Sequence, residues 1–156
     1  MPELNNQNFN HLKIHTQYSI CEGAIKIDKL KDFCKENKIP CLGISDTSNL
    51  CGALEFAENI SKVGTQPIIG TQIYFKFEDT TGLLPLIALN EKGYKRIIEL
   101  SSRSYLENDA LSDPHLNIKE ILKDTEGVLL LSGTIQGLFG KLFQKGRLEE
   151  ITKIYK

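Results

Sequence analysis

The chain has 156 residues, 40% of them hydrophobic and 25% charged, and its 19 basic and 20 acidic residues leave a formal net charge of −1. This length and composition are typical of one globular domain, residues 1–156, with a core of useful size. The balanced charge excludes the basic field with which a domain holds DNA or RNA by itself.

Targeting segments and cysteine motifs also limit the function classes. The first ten residues are polar and lack the apolar core of a signal peptide, and no apolar stretch is long enough to span a membrane. The four cysteines form no C-x-x-C pair, which argues against a zinc site. We therefore expect a cytoplasmic protein without disulfides, in which Cys34 and Cys41 are small buried hydrophobes.

The first predicted element is a strand at residues 11–16 with an uncommon polar face. Side chains alternate along a strand, so His11, Lys13 and His15 share one face while Leu12 and Ile14 face the core. Two imidazoles at this spacing can converge on one metal ion. The lysine between them repels a cation and offers no lone pair while it is protonated, so the strand indicates a weakened metal site.

Helices and strands alternate along the rest of the chain. The pattern predicts helices at residues 27–37, 48–63 (with Ser48 as the cap), 91–106, 118–123, 135–144 and 148–155. It predicts strands at residues 39–45, 67–77, 83–89 and 128–132, and a loop at residues 107–117. Such alternation indicates an α/β fold with parallel strands and crossover helices. The glycines near Gly140 and Lys141 do not complete a phosphate-binding loop, since Ile135 and Leu142 stand at required positions.

Several blocks resemble the PHP (polymerase and histidinol phosphatase) domains that open the α subunits of bacterial DNA polymerase III. Residues 11–19, His-Leu-Lys-Ile-His-Thr-Gln-Tyr-Ser, are similar to that family's His-Leu-His-x-His-Ser-x-Tyr-Ser opening. The order and rough spacing of further blocks also agree, namely Ile-Pro-Cys-Leu-Gly-Ile-Ser-Asp at 39–46, Asn-Leu-Cys-Gly-Ala at 49–53, Pro-Ile-Ile-Gly-Thr-Gln at 67–72, Asn-Glu-Lys-Gly-Tyr at 90–94 and Leu-Ser-Gly at 131–133.

The chain departs from the family pattern at the family's metal ligands. His15 and Asp46 remain at matching positions, whereas the replaced ones are Lys13, Thr47, Gln72, Leu83 and, compared with some members, Thr134. The resemblance therefore implies a degenerate metal site with no catalytic residue. We expect His15 and Asp46 to hydrogen-bond to each other or to Lys13 and Gln72. We also expect Lys13 and Asp46 to interact in one pocket, where the lysine replaces the charge of the ion.

The resemblance also implies an architecture and a parent protein. The fold would be part of a PHP-type (β/α) barrel, with the site at the carboxyl ends of the strands. Five predicted strands leave such a barrel incomplete, with open edges that invite association. The parent would be the DNA-directed DNA polymerase of DNA replication. This segment would hold no cofactor, the Mg²⁺ belonging to the parent's polymerase domain.

The expected role is structural or partner docking. By resemblance, the partners are the proofreading exonuclease subunit and other replicase subunits, with DNA reached only through the parent and no membrane involved. Two alternatives remain open: a stand-alone metal-dependent PHP phosphoesterase, and a short PHP-like paralogue that binds a protein partner. The sequence that follows residue 156 would discriminate between them, since a polymerase continues into palm-type aspartate motifs.

Overall fold

A computed structural model describes residues 9–109 and 111–154 of the chain. Within these residues the helices are α1 (Ile27–Asn37), α2 (Ala53–Ser61), α3 (Glu91–Leu106), α4 (Ile118–Leu122), α5 (Leu138–Gln144) and α6 (Leu148–Ile154). The strands are β1 (Cys41–Thr47), β2 (Gln66–Phe77), β3 (Thr80–Ala88), β4 (Leu116–Asn117) and β5 (Val128–Leu130). The α/β class predicted from the sequence is confirmed.

The strands form one open sheet in the order β1-β2-β3-β5, with β4 paired to the end of β2. β4 runs parallel to β2, but it lies in the stretch 107–117 that is predicted as a loop. β1 also runs parallel to β2, as predicted, whereas β3 runs antiparallel to both β2 and β5. The reason is the short connection: only Glu78 and Asp79 separate β2 from β3, and parallel neighbours need a crossover of a dozen or so residues. Gly82, predicted to separate two strands, lies inside β3.

The segment predicted as the first strand is less regular than expected. Residues 11–14 run beside β1, but only an isolated parallel bridge joins Ile14 to Ile44. The Gly43 N–H donates to the His11 carbonyl oxygen at 2.7 Å, and the Ile14 N–H donates to the Gly43 carbonyl oxygen at 3.2 Å. Gly43 permits this close approach, because a Cβ there would lie 2.7 Å from the Leu12 Cα.

Two hydrophobic clusters support the sheet. The larger joins β2 and β3 to α3, α4 and α5, and the smaller joins β1 to α1 and α2. Ile14 packs against the smaller cluster, as the alternation of residues 11–16 predicts. These contacts bury one face of the open sheet and position the carboxyl ends of β1 and β2. In the part of the chain that the structure describes, no helix is long and apolar enough to cross a membrane.

Helix boundaries agree closely with the sequence except at α2 and at the start of α5, which is predicted at residue 135 and lies at Leu138. The predicted bounds of α1 and α3 match the observed ones, and the Asn90 side chain caps α3 by accepting from the Gly93 N–H at 3.0 Å. The prediction that Ser48 caps the next helix is wrong. Ser48 has a φ of 56° and its N–H donates to the Gln72 carbonyl oxygen, so it ends β1, and α2 begins only at Ala53.

Candidate functional site

The carboxyl end of β1 pairs with the middle of β2, and the predicted site residues there lie on two faces of the sheet. Thr47 pairs with Gln72 in the strand register, and Asp46 pairs with Thr71. Because neighbouring side chains alternate, Thr47 and Gln72 share one face and Asp46 lies on the other. The sequence analysis placed His15, Asp46 and Gln72 in a single site, whereas the structure separates Asp46 from Gln72.

Asp46 is buried, with 1% of its surface exposed, and its carboxylate is fully engaged by protein donors. The Thr16 N–H and hydroxyl donate to it at 2.6 and 2.7 Å, and the Ser19 hydroxyl donates at 2.6 Å. Ser19 Oγ also accepts from the Thr47 N–H at 3.0 Å. We call residues 16–23 the strap. Asp46 thus fastens the first part of the strap, residues 16–19, to the end of β1.

A second polar group connects the strap to the opposite face. Glu22 accepts a hydrogen bond from the Thr47 hydroxyl and lies 3.8 Å from His15 Nδ1. Gln72 Nε2 donates to Thr47 Oγ1 at 2.7 Å, and His15 Nδ1 lies 3.5 Å from Ser19 Oγ. His15 therefore reaches Asp46 only through Ser19, not directly.

Sequence reasoning did not identify Glu22. The residue precedes Gly23 in an irregular turn where Cys21 has a φ of 64°, and no strand or helix periodicity applies there. Its position directly after the metal-like opening motif is the only sequence signal that marks it.

Tyr18 fastens the strap to α2. Its hydroxyl donates to Glu55 Oε2 at 2.6 Å, and its ring covers Gly52, where a Cβ would lie 2.6 Å from Tyr18 Cδ2. The hydrogen bond to Glu55 and partial desolvation raise the pKa of the Tyr18 hydroxyl above its ordinary value. This contact keeps the strap closed over the strand ends.

Four of the replaced ligand positions line one small cavity on the face of the sheet that carries Thr47 and Gln72, which we call the inner face. Its volume is about 40 Å³, and its lining residues are Lys13, Gln72, Leu83, Pro85, Gly133, Thr134, Gln136 and Gly137. The resemblance-based alignment of Lys13, Gln72, Leu83 and Thr134 thus corresponds to a real spatial cluster. Gln72 is 2% exposed, and its Oε1 has no hydrogen-bond partner among the described residues.

The predicted contact between Lys13 and Asp46 is not formed. No ion pair joins them in the described structure, where the carboxylate of Asp46 bonds to Thr16 and Ser19 instead. The physical reason is the alternation of β1, which turns Asp46 away from the face of the cavity. Lys13 lies beside Gln72 rather than beside a carboxylate.

These residues do not fit a metal cluster of the kind that the intact family motif would hold. Among the described residues, no three His, Cys, Asp or Glu side chains group closely enough to hold a metal ion. Lys13 places a positive charge in the cavity, Gln72 offers one neutral carbonyl oxygen, and the Thr47 hydroxyl is shared between Glu22 and Gln72. Divalent metal ions require several anionic or imidazole ligands.

The remaining candidates lie outside this cluster. His115 Nδ1 is 2.8 Å from the Asp113 carbonyl oxygen in the loop before β4. Of the cysteines, Cys34 is buried as predicted, Cys41 is only partly buried, and all four are free thiols. Burial raises the pKa of the Cys34 thiol.

The family model and the similar proteins agree on the family to which this chain belongs. The family model described as PHP domain matches residues 11–156. The DNA polymerase III subunit alpha of Caulobacter vibrioides is 36% identical over an alignment of 163 positions, which covers 96% of this chain and 14% of that protein. The corresponding subunit of Rickettsia felis is 35% identical, over 85% of this chain and 11% of that protein. The chain therefore spans about a seventh or less of the length of these relatives.

Two solved structures share the fold. A putative metal-dependent phosphoesterase from Bifidobacterium adolescentis superposes with a TM-score of 0.50 at 17% identity, covering 64% of this chain and 34% of that one. An amidohydrolase from Chromobacterium violaceum gives a TM-score of 0.51 at 14% identity, covering 62% of this chain and 33% of that one. At these identities the likeness concerns the fold alone.

Proposed function

The chain belongs to the PHP domain family, and we propose that it is the N-terminal PHP segment of the α subunit of a bacterial DNA polymerase III. The similarity to such subunits over 96% of the chain is the observation that carries this proposal. The parent protein is then a DNA-directed DNA polymerase of chromosomal replication in the cytoplasm. The polymerase carboxylates and their Mg²⁺ belong to other parts of that parent.

The proposal includes a degenerate metal site. Its support is the cavity in which Lys13 and Gln72 stand at ligand positions, together with the engagement of Asp46 by Thr16 and Ser19. A phosphoesterase of this fold class needs ions that generate a hydroxide nucleophile, and these side chains supply no ligand set for them. The segment by itself is then neither a phosphoesterase nor a nuclease.

We assign the segment a structural and docking role in the replicase. Its net charge of −1 gives it no field of its own for DNA, so it meets DNA only through the parent polymerase. The partner that the family resemblance favours is the proofreading exonuclease subunit, with other replicase subunits as further candidates. Hydrogen bonds rather than metal ions hold the strap, which suits a surface with a structural or docking role.

The alternative is a stand-alone metal-dependent PHP phosphoesterase. The observation in its favour is the shared fold with a solved protein of that description. Against it stand the chemistry of Lys13 and Gln72 and the share of the long polymerase subunits that the chain matches.

Two experiments test this proposal. The purified chain, incubated with single-stranded DNA and with a phosphomonoester in the presence of Mn²⁺, should show no hydrolysis above that of the same mixture without protein. Hydrolysis that a chelator abolishes would favour the phosphoesterase.

The docking role is tested on the parent polymerase. Removal of residues 1–156 should abolish co-elution with the proofreading subunit, whereas Lys35→Ala on the exposed side of α1 should not. Co-elution that survives the removal would place the docking site elsewhere in the parent.

A further inference from the structure

We propose that Lys13 is a built-in cation for the inner cavity and that it is coupled to the carbonyl oxygen of Gln72. Lys13 is exposed and makes no direct hydrogen bond to this oxygen in the structure, so its ammonium group acts on the oxygen through a water molecule in the cavity. The inference deepens the proposed function and rests on the loss of the metal site. It assigns Lys13 a task, whereas the sequence alone identifies it only as a lost ligand.

The orientation of the Gln72 side chain is fixed by its neighbours. Its Nε2 donates to Thr47 Oγ1 at 2.7 Å, and the Thr47 hydroxyl donates onward to Glu22. Reversing the amide would bring the Gln72 oxygen against a hydroxyl whose hydrogen is already committed to Glu22. Gln72 Oε1 must therefore face the cavity, where it has no partner among the described residues. A buried carbonyl oxygen without a partner is costly, so a donor is required.

The cavity itself restricts what that donor is. Its volume of about 40 Å³ has room for a very few water molecules and no organic ligand. An anion would meet the Gln72 oxygen, and a metal ion would meet the ammonium of Lys13. Water or the ammonium itself satisfies both groups at once.

The electrostatics of the cavity make the coupling measurable. Of the described residues that line it, Lys13 alone is charged, and Leu83 and Pro85 contribute apolar walls. Outside the lining, the hydrogen-bond network contains two ionisable groups: Glu22, which accepts from the Thr47 hydroxyl, and His15, which lies near Ser19 and Glu22. Gln72 is buried whereas Lys13 is exposed, so a new charge at residue 72 responds to the presence or absence of the lysine, with part of the effect screened by solvent.

The test is a double-mutant cycle. Gln72→Glu buries a carboxylate across Thr47 from Glu22 and should lower the midpoint of thermal unfolding at neutral pH. In a Lys13→Met background the same substitution should lower the midpoint further, because the carboxylate then lacks a counter-charge. A Lys13→Arg background should keep the smaller loss, and so should Lys35→Met, which removes an exposed lysine on α1. An equal loss in the Lys13→Met background and in the unaltered chain would overturn the proposal.

A second measurement covers variants that fail to fold. A crystal structure of the unaltered chain should show the Lys13 ammonium, or one water bound to it, within hydrogen-bond distance of Gln72 Oε1. Any other partner for that oxygen, or an unpaired oxygen, would overturn the proposal. Unfolding is measured with and without a chelator. A midpoint of the unaltered chain that depends on the chelator contradicts the loss of the metal site, whereas the double-mutant cycle concerns only Lys13 and Gln72.

Discussion

Asp46 has a different task at the residue scale from the one its sequence position predicts. It follows the apolar run of β1 as a ligand would, but its carboxylate lies on the face opposite Thr47 and Gln72, where it accepts from Thr16 and Ser19. Strand alternation by itself could have warned of this, since Asp46 and Thr47 cannot share a face. The sequence could not reveal the donors, because they lie in a strap without periodicity.

Replacement of Asp46 should be among the most costly changes in the chain. Asp46→Ala leaves the Thr16 and Ser19 donors buried and unpaired, which should lower the free energy of unfolding by roughly 3 kcal/mol or more. Urea unfolding measures the loss, and Asp32→Ala on the exposed face of α1 is the control, with a change near zero. Equal effects of the two substitutions would show that the strap contributes no stability.

Glu22 and Gln72 show how far site prediction from the sequence can go. Gln72 could be placed because it ends a recognisable strand block, and the structure does bring it together with Lys13, Leu83 and Thr134. Glu22 could not be placed, since its contact to Thr47 depends on the path of the strap.

At the scale of elements, regular helices were predictable and the strand direction of β3 was not. The apolar spacing and the caps of α1 and α3 are local signals, and their observed bounds match the predicted ones. The direction of β3 depends on a connection of only Glu78 and Asp79, which the resemblance to a parallel barrel obscured. Residues 11–14 lie where a strand was predicted, but with less regular pairing.

The close approach of residues 11–14 to β1 depends on Gly43. Gly43→Ala would bring a Cβ within 2.7 Å of the Leu12 Cα, so backbone must move. We expect a loss of roughly 1–3 kcal/mol in the free energy of unfolding, typical of overpacking. Amide hydrogen exchange should localise the loosening to residues 11–19, with Gln66→Ala as an exposed control. Unchanged exchange in that segment would contradict the packing described here.

Asp79 fastens the hairpin of β2 and β3 to the connection between α5 and α6, where Lys145 and Arg147 donate to its carboxylate. Hydrogen bonds from Lys145 and Arg147 lower the pKa of this carboxyl from 3.8 to about 2. A pKa lowered in the folded state stabilises the fold above the unfolded value, and this contribution is lost as the pH falls from about 4 to 2. Asp79 is exposed, so the effect is screened by solvent and salt.

The stability difference between Asp79→Asn and the unaltered chain should therefore depend on pH. The variant should be less stable at pH 7, and the difference should disappear as the pH approaches 2. Chemical unfolding at a series of pH values checks this. A difference that is constant from pH 7 to pH 2 would show that these hydrogen bonds do not favour the ionised carboxylate.

At the scale of the whole molecule, the sheet is open. In the described residues it ends at β5 on one side and at the irregular segment 11–14 beside β1 on the other. Sheet edges present unpaired backbone groups that invite association with another chain. We expect residues 1–156 alone to form dimers or larger species, which light scattering would detect. A stable monomer at high concentration would contradict this expectation.

We infer that this PHP-family chain carries a polar strap and a lysine where a metal centre would stand. The most direct test is the metal content of the purified chain after equilibration with Mn²⁺ or Zn²⁺ and removal of free ions. Mass spectrometry of the native chain should find well under one bound ion per molecule, unchanged by His15→Ala. One or more ions per molecule, lost on replacement of His15 or Asp46, would contradict the claim.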